Sequence, residues 1–144
     1  MRRAGTLGVG MLLAGALLAG CGGSTAASEP SASSTAGLGT VTTAPDGVQQ
    51  LTIRTQDDYV FTPDHFTVAP GKVHLTVRNM AKQATHNFQF TKGAGPAPLD
   101  AAIPLLAPGD VKTLDFDVQT PGDYPFECSF HVQLGQLGTM TVRG

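Results

Sequence analysis

Cys128 and His131 stand three residues apart in the run Tyr124-Pro-Phe-Glu-Cys128-Ser-Phe-His131-Val-Gln-Leu-Gly-Gln136, near the end of the chain. A thiol and an imidazole on one short loop suit a copper or zinc ion and not magnesium or calcium. A third possible donor, Gln136, follows five residues after the imidazole. Tyr124, Phe126 and Cys128 share one phase of an alternating run, which predicts a strand delivering the thiol into an apolar interior. A loop begins after His131 and becomes a strand again at Thr139-Met140-Thr141-Val142. Two donors are not yet a site.

The remaining histidines are His65, His74 and His86. His74 takes the polar phase of a run carrying Val73, Leu75 and Val77, and reads as a surface residue. His65 lies in a turn-like Pro-Asp-His segment with no evident partner. His86 opens a run carrying Phe88 and Phe90, directly after the polar loop Lys82 to Thr85. In a Greek-key sandwich an early and a late strand can meet at one end, so His86 is the candidate that could join Cys128 and His131.

The elements that would hold these residues are strands. Leu51 and Ile53, then Phe66 and Val68, then Val73 to Val77, then Leu114, Phe116 and Val118 alternate with polar residues. Pro-Gly turns separate several of them. Residues 93 to 110 read as a mostly irregular crossing with an apolar patch at Ile103 to Leu106, and no run has helical spacing. The pattern predicts an all-β Greek-key sandwich of seven to eight strands over residues 48 to 144. Low charge with many Gly and Pro residues agrees. A net charge of -2 gives no sign of nucleic-acid binding.

The N-terminus has another character. Arg2-Arg3, an apolar run from Leu7 to Ala19 and the ending Leu18-Ala19-Gly20-Cys21 describe an export signal too short for an ordinary membrane span. The ending resembles a bacterial lipobox, which implies cleavage after residue 20 and lipidation of Cys21. Cys21 and Cys128 thus have separate roles, and no disulfide between them is expected. Loss of Arg2 and Arg3 leaves seven Lys/Arg and eleven Asp/Glu, a mature charge of 7 - 11 = -4. Residues 21 to 47, rich in Gly, Ser, Thr and Ala, are expected to form a flexible tether with an r.m.s. span of roughly 30 Å.

Residues 48 to 144 resemble the cupredoxins, the blue-copper fold. Three segments carry the likeness: Phe61-x-Pro63-x-x-Phe66-x-Val68-x-x-Gly71, His86-Asn87-Phe88, and Gly122-x-Tyr124-x-Phe126-x-Cys128-x-x-His131. The resemblance implies one copper ion cycling between Cu(I) and Cu(II), with His86, Cys128 and His131 as ligands. In plastocyanin-like relatives a Met stands five residues after the loop histidine, where this chain has Gln136. The resemblance therefore favours Gln136 as axial donor, as in stellacyanin, over Met140, which shares the inward phase with Val142. No axial protein ligand is the third alternative. It further implies that Asn87 and Ser129 brace the site, and that Phe130, Val132 and Leu134 form an apolar patch for redox protein partners, with Leu137 packing the core.

The function so implied is a monomeric electron carrier, not an enzyme, lipid-anchored through Cys21 at the outer face of the bacterial cytoplasmic membrane. The alternative is a copper chaperone, store or sensor. Of four Met residues two lie in the signal, which leaves few exchangeable donors for copper delivery.

Overall fold

Alternation of apolar and polar residues builds every long strand of this domain, and it sorts side chains cleanly between core and solvent. The structure is a computed structural model that describes residues 37–144. The signal segment, Cys21 and residues 22–36 lie outside the described residues. Ten strands are present among those described: β1 (Thr42–Thr43), β2 (Gln49–Thr55), β3 (Phe61–Thr62), β4 (His65–Val68), β5 (Gly71–Asn79), β6 (His86–Phe90), β7 (Ala102–Leu106), β8 (Val111–Val118), β9 (Gly122–Glu127) and β10 (Leu137–Val142). Eight of them have four residues or more; β1 and β3 are two-residue pieces.

The strands form two mixed sheets. One has the order β1-β2-β5-β8, with β3 also paired to β2, and the other has the order β4-β10-β9-β6-β7. Strands β2 and β5 run parallel, as do β4 and β10. The inner faces meet in a core that includes Ile53, Leu75, Val77, Phe61, Phe88 and Phe126, all essentially inaccessible. Phe126 is central. Its ring lies 5.0 Å from Phe88, 5.4 Å from Phe61 and 5.5 Å from Phe66, separations at which aromatic rings attract. Behind it, the Tyr124 hydroxyl donates to the Thr120 carbonyl at 2.9 Å, a bond characteristic of Greek-key corners.

The close approach of β10 to this ring requires a residue without a side chain. A Cβ at Gly138 would sit 2.3 Å from the Phe126 ring and 2.5 Å from the Asp64 carbonyl oxygen. Gly138→Ala is therefore expected to cost about 1–3 kcal/mol by overpacking. Denaturant unfolding checks this, and an unchanged midpoint would contradict the packing described.

The structure corrects three expectations. The folded part starts before Val48: Leu38 bridges Thr52, and Thr42–Thr43 pair antiparallel with Gln49–Gln50. The cause is an Asp46-Gly47 turn, with Gly47 at φ 83, closing a short hairpin, while Val41 packs on the core. The crossing at 93–110 also contains a strand. β7 pairs with β6 at the sheet edge, and a register shift there accommodates Pro104, which has no N–H to donate. Leu137, expected in the core, is exposed because Gly138, Met140 and Val142 take the inward phase of β10.

Candidate metal centre

Several strand ends converge at one end of the sandwich. The C-termini of the parallel strands β2 and β5 lie there, together with the start of β6, the end of β9 and the start of β10. His86 is the first residue of β6 and is fully buried. Cys128 follows β9 and is also inaccessible, with no disulfide. Between Cys128 and β10 the chain folds back on itself. The His131 N–H donates to the Cys128 carbonyl at 3.0 Å, the Leu134 N–H to the His131 carbonyl at 2.9 Å, and the Cys128 N–H to the Gln136 carbonyl at 3.1 Å. Gly135, at φ 85, takes the left-handed turn that ends the single 3-10 turn Val132–Leu134. The loop backbone thus brings the side chains of Cys128, His131 and Gln136 to the same end of the sandwich.

They point at one place. The Cys128 Sγ lies 3.6 Å from His131 Nδ1 and 4.0 Å from His86 Nδ1, and the two Nδ1 atoms are 3.2 Å apart. The Gln136 Oε1 stands 2.9 Å from His86 Nδ1 and 3.2 Å from His131 Nδ1. Bonds of about 2.0–2.3 Å from one ion, at tetrahedral to trigonal angles, would hold nitrogen and sulfur donors about 3.3–3.8 Å apart. The observed separations scatter around that range, so His86, Cys128 and His131 fit a single small ion. Two imidazoles and a thiolate with a weaker fourth donor are the blue-copper donor set. Met140, by contrast, is buried within the hydrophobic core cluster, opposite Phe66 on β4.

The surroundings favour the ligating form of His86. Burial holds His86 below the usual histidine range, the Gln136 hydrogen bond working against it, which favours the uncharged imidazole that a metal binds. Its Nε2 is buried without a partner at hydrogen-bonding geometry; the Gln56 carbonyl is the backbone group that favours a proton on this ring. The Asn87 N–H donates to the Cys128 Sγ at 3.4 Å, which ties the sulfur to the start of β6. The Asn87 side chain spans to the loop: Nδ2 donates to Ser129 Oγ at 2.7 Å, and Oδ1 accepts the Ser129 N–H at 2.8 Å.

A family model described as the cupredoxin-like domain matches residues 23–142. The chain is a member of the cupredoxin family. It is 34% identical over 92 residues to a plastocyanin of Nostoc punctiforme, 58% of this chain and 65% of that one. It is 34% identical over 86 residues to plastocyanin A/B of Petroselinum crispum, covering 58% of this chain and 87% of that protein. It thus spans just under two thirds of the first plastocyanin and most of the second. Among solved structures, the dithionite-reduced auracyanin of Roseiflexus castenholzii superposes with a TM-score of 0.58 at 28% identity, covering 66% of this chain and 97% of that one. Auracyanin A of Chloroflexus aurantiacus, described as a "blue" copper protein, gives the same TM-score at 22% identity, with 67% and 100% covered, a likeness of fold.

Within this cupredoxin, three residues that carry no signal in the sequence also hold the site. Tyr59 lies with its ring 4.6 Å from that of His131 and 6.2 Å from that of His86. Its backbone has φ 57, a strained region for a non-glycine residue that the surrounding packing must offset. Asn79, fully buried at the end of β5, donates to the carbonyls of Ala84 and Leu106 and accepts from the Ala81 N–H. Asp57 accepts from the N–H groups of Lys82, Gln83 and Ala84, the loop that leads into His86.

These amide bonds, led by Lys82 and Ala84, hold the Asp57 carboxyl below its ordinary value of 3.8. The folded protein therefore binds this proton less readily than the unfolded chain. Its contribution to stability is complete above pH 3.8 and is lost as pH falls through the lower folded value. Asp57→Ala is expected to speed amide exchange at residues 82–84 at neutral pH while leaving the core protected. Unchanged exchange there would remove Asp57 from the set of residues holding the site.

Exposed apolar side chains surround the centre. Phe130 and Leu134 on the ligand loop are 51% and 62% exposed, Val132 is half-buried, and Val60 and Met80 lie exposed on neighbouring loops. His131 itself is half-buried between them and Tyr59. His74 pairs with Asp115 and His65 with Asp64, both apart from this centre.

Proposed function

We propose that this cupredoxin binds one copper ion through His86, Cys128 and His131, with Gln136 as axial donor, and carries single electrons between redox proteins. The observation that carries the reading is the convergence of two imidazole Nδ1 atoms, one thiol and one amide oxygen at separations suited to a single ion. When bound, copper supplies a one-electron Cu(I)/Cu(II) couple. The chain's own residues keep the donors in place: hydrogen bonds within the ligand loop, the Asn87–Ser129 tie and the Asn79 and Asp57 anchors. A donor set held this firmly changes little between oxidation states, which favours fast electron exchange.

Phe130, Val132 and Leu134 supply the contact surface for the redox partners. Its apolar character and lack of charge favour brief encounters with a small interface. The chain acts as a monomer at the outer face of the membrane, held by lipid on Cys21. Among the described residues no helix is long and apolar enough to cross a membrane.

The test separates an electron carrier from a copper-delivery protein. The copper-loaded protein is cycled repeatedly with reductant and oxidant beside a Cu(I) chelator, and both copper content and absorbance are followed. A carrier keeps its copper and regains its colour in each cycle. Transfer of the metal to the chelator on first reduction would replace the electron-carrier reading with the delivery one.

A further inference from the structure

Gln136 is the donor whose orientation is not dictated by the loop backbone alone. An amide side chain has an oxygen at one branch and an NH2 group at the other, and only the oxygen can face a cation. Here Oε1 faces the two Nδ1 atoms, and Nε2 lies 2.6 Å from the hydroxyl of Thr55. Both residues are completely inaccessible, so no water competes for either group. The bond is long-range, joining the end of β2 in one sheet to the residue before β10 in the other, 81 positions apart.

We propose that Thr55 is a positioning residue for the axial amide: its hydroxyl accepts the Gln136 Nε2–H and so holds Oε1 toward the metal position. This rests on the reading of Gln136 as axial donor. Thr55 is well placed for the task. Its backbone is paired on both sides, to Phe61 of β3 and Asn79 of β5, and its carbonyl accepts the Met80 N–H at 2.8 Å. Its β-branched side chain has few rotamers to lose. An N–H bonded to an acceptor also leaves more electron density on the amide oxygen, and bonds in such chains strengthen one another. Both effects favour Cu(II) over Cu(I). Without the hydroxyl, a buried N–H is left unpaired and the amide is free to turn toward other acceptors.

A double-mutant cycle tests this on the copper-loaded protein, with reduction potential as the readout. Gln136→Met, Thr55→Val, Thr55→Ser and the Thr55→Val/Gln136→Met combination are compared. Thr55→Val is expected to change relative Cu(II)/Cu(I) affinity three- to tenfold toward Cu(I), a rise of about 30–60 mV. Thr55→Ser keeps the hydroxyl and should stay within about twofold of the parent, under about 20 mV. Combined with Gln136→Met, Thr55→Val should leave the potential where Gln136→Met alone put it, because no amide remains to hold. A merely structural threonine would lower stability in both backgrounds without this dependence.

If Gln136→Met shifts the potential but Thr55→Val does not, or shifts it equally in both backgrounds, the role of Thr55 is overturned and the axial reading stands. If Gln136→Met shifts nothing, the axial reading fails and the proposal fails with it. Should the valine protein not fold, Thr55→Ala carries the same cycle.

Discussion

Cys128→Ser is expected to abolish the intense visible absorption of the copper-loaded protein and to weaken copper binding. The serine hydroxyl is not ionised at neutral pH and is a much harder donor than the thiolate, so the thiolate-to-copper transition has no origin. The loss of affinity should exceed the roughly 10–100-fold that follows removal of an outer partner of a metal ligand. The fold should survive. Serine is close to cysteine in size, and its oxygen can still accept from the Asn87 N–H that now reaches Sγ. Absorbance titration with Cu(II), alongside circular dichroism of the metal-free variant, measures both effects. A variant that keeps the parent's visible band would show that Cys128 is not the sulfur ligand.

Gln136→Met is the second large effect. The thioether is a softer, weaker donor to Cu(II) than the amide oxygen, so the variant should favour Cu(I) and have a higher reduction potential. A change of one to two decades in relative affinity corresponds to about 60–120 mV. Gln136 is fully buried, and because Gln and Met are similar in length the exchange roughly conserves side-chain volume. Met140→Leu is the control. Met140 lies inside the hydrophobic core, so its replacement should leave the potential nearly unchanged. A potential that follows residue 140 and ignores residue 136 would reverse the axial assignment.

How far these features are legible in the sequence depends on whether local pattern or long-range packing decides them. The alternation of Tyr124, Phe126 and Cys128 is local, and those residues are buried as it predicts. So are Leu51, Ile53, Val73, Leu75 and Val77. Leu114 and Phe116 follow the same rule but are only half-buried, because β8 is an edge strand. The Asp46-Gly47 turn carries a hairpin signal that the polar composition around it conceals. Pro104 hides β7, since a proline argues against a strand until its edge position is known.

At the metal centre, donors that share one loop have readable spacing, and His86 is marked by the loop before it. The residues that hold them are not marked. Thr55 meets Gln136 across the two sheets, and Tyr59 reaches His131 from a loop that has only turn-like composition. Asn79 and Asp57 act on backbone groups, whose positions no side-chain pattern announces. Leu137 departs from expectation because its phase depends on which residue of β10 first faces the core. That choice is set by Gly138 against Phe126.

The most direct measurement is an optical and EPR redox titration of the copper-loaded protein. One copper per chain, an intense visible band that bleaches and returns reversibly, and a one-electron response are expected. A colourless copper complex, or a band that does not return on reoxidation, would contradict a Cys128-ligated electron-transfer site.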